Sequence, residues 1–133
     1  MEPLELLREK IPDFPGYDNE VARRRSDEYV RSYLGEALAN LAASQTLSPE
    51  LAQRVDALVL RVGFADQQAF SRHIGIGPSG ASKEDDVVAA DAATIELADR
   101  AALLEPAATN RYLDEVAAAL DGREAALRAA AAK

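Results

Sequence analysis

Residues 75–80 read Gly75-Ile76-Gly77-Pro78-Ser79-Gly80, the Gly-x-Gly-x-x-Gly spacing of loops that hold the pyrophosphate of a dinucleotide. That chemistry needs a strand running into the loop and a helix beginning inside it, so that backbone amides converge on phosphate. Here a pattern of helical period precedes the glycines, and Pro78 removes one of the amides. Segment 75–81 therefore reads as a glycine-rich connector. Other chemistry is equally short of partners. His73 is the single histidine and there is no cysteine, which argues against thiol catalysis, disulfides and zinc, copper or haem sites of ordinary composition. Serines 26, 32, 44, 48, 71, 79 and 82 form no Gly-x-Ser-x-Gly elbow. Glu84-Asp85-Asp86 lacks the spacing of a calcium loop, and no Glu-x-x-His pair supplies a di-iron bundle. The expectation is a protein without catalytic residues, metal or cofactor.

The stretch before the glycines has a second reading. Val62-Gly63-Phe64-Ala65-Asp66-Gln67, then Phe70-Ser71-Arg72, then Gly75 to Pro78, resembles the second helix-turn-helix of AraC-type transcription activators, in which a Gly-Phe turn leads into a recognition helix. The resemblance implies that Gly63 makes the turn, that Phe70 and Ile74 anchor the helix, and that Gln67, Gln68 and Arg72 face bases or phosphates. It covers residues 62–78 only, and the family's upstream helix-turn-helix is not recognisable. Charge opposes it as well. The chain carries −8, with 9 basic and 12 acidic side chains in residues 1–72 and 6 and 11 in residues 73–133, so neither half supplies the basic face that phosphate binding uses.

Arg23-Arg24-Arg25 could mark an anion site, but consecutive helical residues point about 100° apart and cannot converge on one ligand. Spacing offers Glu20–Arg24, Arg23–Asp27, Arg24–Glu28 and Asp27–Arg31 pairs instead, which predicts a solvated, salt-bridged helix surface.

The elements that must carry these residues are helical. Alanine is abundant, aromatics make up 5%, and every apolar repeat runs at three and four. A short helix over 3–10 is ended by Ile11-Pro12-Asp13-Phe14-Pro15-Gly16; with Phe14 and Tyr17 pinning it, residues 1–17 form an N-terminal arm. Asp18 reads as the N-cap of a helix to about Ser44, with Val30, Tyr33, Leu34, Ala37, Leu38 and Leu41 as its buried stripe. Ser48-Pro49 starts the next helix, ending at Gly63 with Leu51, Val55, Leu58, Val59 and Val62 inward. Asp66 caps a short helix carrying Ala69, Phe70 and Ile74. Residues 82–104 present two adjacent stripes and 108–131 one near-heptad stripe through Leu113, Val116, Leu120, Leu127 and Ala130. The reading is an all-α, compact bundle of about five or six helices, one domain over 1–133, closed by a C-terminal antiparallel helical hairpin.

No run of 18 apolar residues and no basic-then-apolar N-terminus occurs, so a cytoplasmic protein is expected. The function expected is protein–protein contact, as a small adaptor, regulator or assembly factor, with a protein partner or a second copy and without membrane or metal. A helix-turn-helix regulator centred on residues 49–74 is the second reading. A bundle binding a small apolar or anionic ligand between helices is the third.

Overall fold

Each long apolar stripe in the sequence becomes a buried helix face, and the architecture follows from how those faces are shared. The computed structural model describes residues 2–63 and 81–131, with side chains described for 2–63 and 85–130. Among them are five α-helices and no strand: α1 (Pro3–Lys10), α2 (Glu20–Ser44), α3 (Pro49–Gly63), α4 (Ala81–Arg100) and α5 (Thr109–Ala131), with short 3-10 turns at Ala101–Leu103 and Pro106–Ala108. The chain is an all-α compact bundle.

The main core joins four helices. Leu34, Leu38 and Leu41 of α2 meet Val55, Leu58 and Val62 of α3, Leu97 and Ala98 of α4, and Leu113, Val116 and Leu120 of α5. A second cluster seats the N-terminal arm, with Leu7, Ile11 and Phe14 packed on Val30, Ala92 and Ile95. A third joins Val87 to Leu127 and Ala130. Helices α4 and α5 pack along each other. Their pairings, Leu97 with Tyr112, Asp91 with Arg123 and Val87 with Leu127, run in opposite order along the two helices.

Local chemistry sets the boundaries, with two departures from the sequence reading. Helix α2 begins at Glu20, one residue later than an Asp18 cap implies, because Asn19 is the cap and its Oδ1 accepts the Ala22 amide at 2.8 Å. Both residue types satisfy the orphan amides of a first turn equally well, so sequence cannot rank them. Helix α4 stops at Arg100, short of 104, where the chain tightens into the 3-10 turn. The Ser48 start holds, its hydroxyl accepting the Leu51 amide at 3.2 Å. The arm turns back through Asp13 and Gly16, whose φ of 59° and 79° lie in the left-handed region that glycine and aspartate tolerate.

Candidate functional site

Two polar constellations lie among the described residues, one sealed in the core and one open to solvent. The sealed one gathers on Arg123 of α5, which is 2% exposed. Its Nε donates to Asp91 of α4 at 2.7 Å, and its Nη2 donates to Asp27 of α2. The other Asp91 oxygen accepts the Tyr17 hydroxyl at 2.5 Å, and the other Asp27 oxygen accepts Arg31 Nε at 2.8 Å. Arg31 then donates to the Val62 and Gly63 carbonyls at 3.3 and 3.1 Å, capping the last turn of α3. Two carboxylates and two guanidiniums thus cancel, and one connected set ties α2, α3, α4, α5 and the arm together.

Burial governs the electrostatics here. Desolvation pushes the Asp91 carboxyl above the usual range, against the pull of Arg123 and the Tyr17 hydrogen bond. Arg123 moves the other way from what burial alone would do: its two carboxylate partners overcome desolvation and hold it firmly cationic. A buried pair of this kind contributes little net stability compared with apolar packing, because desolvating the charges offsets most of their attraction. With Asp91 and Asp27 1% and 5% exposed, no substrate reaches them.

This network corrects the reading of the arginine run. Arg24 does pair with Glu20 on the surface, at 3.8 Å, and Asp27 with Arg31. Arg23, Ser26 and Asp27 are buried instead of solvated. The arm lies over this part of α2, with Arg23 donating to the Tyr17 carbonyl at 3.3 Å and Ser26 to the Gly16 carbonyl at 2.6 Å. Helical spacing alone cannot show that a loop from upstream covers that face.

The open constellation is a cleft of about 400 Å³ between α2 and the end of α4. Tyr33, Glu36, Ala37, Asn40, Leu41 and Ser44, which recur at helical spacing, form one wall; Ala98, Asp99, Ala101 and Ala102 form the other. The space exists because alanines stand on both walls where longer side chains would meet. Its floor is apolar, with Leu41, Ala98 and Ala101 buried. Its lining holds two carboxylates and no cation.

At one end, Tyr33 donates its hydroxyl to Asp99, whose second oxygen pairs with Lys10 of α1 at 3.1 Å. At the other, Gln45 holds the segment that follows α4: its amide nitrogen donates to the Leu104 carbonyl at 3.1 Å and its oxygen accepts the Thr109 hydroxyl at 2.8 Å. That clamp fixes the turn carrying Leu103, which is 86% exposed directly after Ala101 and Ala102. The cleft hydroxyls are committed, Tyr33 to Asp99 and Ser44 to the Leu41 carbonyl at 3.2 Å. The cleft therefore offers shape, an apolar floor and negative charge, and no hydroxyl poised beside a free base.

The Tyr33 hydroxyl is pushed up to about 12 by desolvation and by Asp99, and Tyr112 to about 12 chiefly by burial. A folded-state phenol raised above its unfolded value of about 10 adds stability that is complete below that value and is lost as pH rises through about 12. Absorbance titration at the tyrosinate band is expected to show these two groups ionising late, with one late group missing in Tyr33→Phe. Full tyrosinate absorbance by about pH 11 in protein that is still helical contradicts this.

Gln67, Gln68 and Arg72, the residues expected to contact DNA, lie outside the described residues, as do His73, the glycine-rich 75–80 segment and the helix expected after Asp66. The arginines flanking them in the helix-turn-helix reading are described. Arg54 donates to Asn110 at 2.7 Å and pairs with Asp114. Arg61 pairs with Asp121 at 2.5 Å and Glu124 at 3.2 Å. Both serve as intramolecular ties from α3 to α5, and Arg23 is buried. Among the described residues no cluster of three histidine, cysteine or carboxylate side chains could hold a metal, and no helix is long and apolar enough to cross a membrane.

The chain matches no family model, no curated protein and no solved structure.

Proposed function

We propose that this is a non-catalytic, cytoplasmic helical protein that acts by protein–protein contact, and that the cleft between α2 and α4, together with the turn carrying Leu103 that follows it, is the contact surface. One observation carries the reading: among the described residues the most exposed large apolar side chain, Leu103, stands on a clamped turn, one residue after Ala102 of the alanine-walled cleft. Contact energy concentrates on groups that fill well-packed, desolvated pockets, and the apolar floor of the cleft offers a partner such a place. The absence of cysteine suits a reducing compartment.

Small-molecule binding in the same cleft is a second reading, favoured by a volume within the range of ligand pockets. The two lining carboxylates oppose the anionic ligand considered from sequence. The helix-turn-helix reading is weakened by the commitment of Arg54 and Arg61 to α5 acids.

The test compares capture from native lysate by the wild type, by Ala102→Trp, which fills the cleft from an exposed position, and by Ala125→Trp on the exposed side of α5. Quantitative mass spectrometry should find a partner retained by wild type and Ala125→Trp and lost by Ala102→Trp. Partners retained equally by all three would remove the cleft from the function.

A further inference from the structure

Taking the cleft as the contact surface just proposed, we infer that its occupant is an amphipathic helix of the partner bearing Lys or Arg beside its apolar stripe. The first argument is shape. From Tyr33 to Ser44 the α2 wall runs about 16 Å at about 1.5 Å per residue, the length of about three helical turns, with Glu36 and Asn40 exposed along it. A wall built on one helical stripe, facing alanines, leaves the kind of trough in which an apolar helix face beds with anchors at i, i+4 and i+7. Alanines at Ala37, Ala98, Ala101 and Ala102 allow close approach of a backbone, and Leu41 adds an apolar floor.

The second argument is charge. Glu36 is exposed on the α2 wall and makes no ion pair among the described residues. Glu105, also exposed, follows the Leu103 turn. Lys10, beside the cleft's Asp99, is spent on that carboxylate. With −8 on the whole chain, an approaching basic segment is attracted at long range and an acidic one repelled. The same charge disfavours a second copy of this chain as occupant, since each copy carries −8 and repels the other at long range.

The experiment is a display selection of helical peptides, randomised on one face in both apolar and charged positions, against the full chain. Enrichment of large apolar residues at i and i+4 with flanking Lys or Arg is expected. Selected peptides should bind Ala102→Trp at least roughly tenfold more weakly, as loss of a central contact would give. Because Glu36 is exposed, Glu36→Lys should fold normally; it is expected to weaken basic peptides and to shift selection toward acidic ones, with a smaller effect at high salt. Acidic or charge-indifferent binders, binders that tolerate Ala102→Trp, or no peptide that depends on the cleft would each overturn the inference. If partner capture still depends on Ala102 while the peptides fail, the contact surface stands and only its occupant is wrong.

Discussion

Arg123→Leu is expected to destabilise the protein by about 3–5 kcal/mol, the usual cost of removing one partner from a buried ion pair. Leucine leaves Asp27 and Asp91 together in the core with the central cation gone, and Arg31 can satisfy only one of them. Against a total stability of about 5–15 kcal/mol for a domain of this kind, the variant should sit near the edge of folding. Urea denaturation followed by helical circular dichroism measures it, and a loss under about 1 kcal/mol would show the network to be dispensable. Asp91→Asn is the informative contrast. Its amide oxygen can still accept from Arg123, and the raised Asp91 carboxyl means that ionisation there already costs stability near neutral pH. Because the folded value is raised, the contribution of Asp91 is complete below the unfolded value and is lost as pH rises through the folded one. The wild type should therefore gain relative to Asp91→Asn as pH is lowered from neutral toward the carboxylate range.

Leu34→Ala is expected to cost about 2–5 kcal/mol, the range for large-to-small changes at a packed site. Leu34 is fully buried at the junction of α2 with the other core helices. Helices cannot close readily over the lost volume, because the Arg123 network holds α2, α4 and α5 at fixed spacing. Leu58→Ala, 7% exposed on α3, should fall toward the lower end of the same range. Denaturation midpoints of the two variants, at unchanged denaturant slope, check both; a loss under 1 kcal/mol at each would place the stripes on the wrong faces.

The apolar stripes were legible in sequence because helical period reports a buried face without knowledge of what covers it. Val30, Leu34, Leu38 and Leu41, or Leu113, Val116 and Leu120, needed only spacing. The charged knot was not legible, because polar residues in a helical pattern are assigned to solvent. Its trace is an interruption in one stripe: that of α5 passes from Leu120 to Leu127 across Arg123, whereas on α4 Ala90 continues the apolar period and leaves Asp91 unmarked. That gap is uninformative alone and meaningful only when the partners, 96 residues apart for Asp27 and Arg123, are brought together. The cleft was hidden for a related reason. Ala37, Ala98 and Ala101 satisfy a core pattern whether the facing helix touches them or stands away, and that distance is set by larger residues elsewhere.

Site-specific photocrosslinking in living cells tests the contact surface most directly. A photoreactive residue at Asn40, on the cleft wall, is compared with one at Gln53, exposed on α3. A discrete adduct from position 40 alone, abolished by Ala102→Trp, is the predicted result. Adducts of equal yield from both positions, or from Gln53 alone, would contradict it.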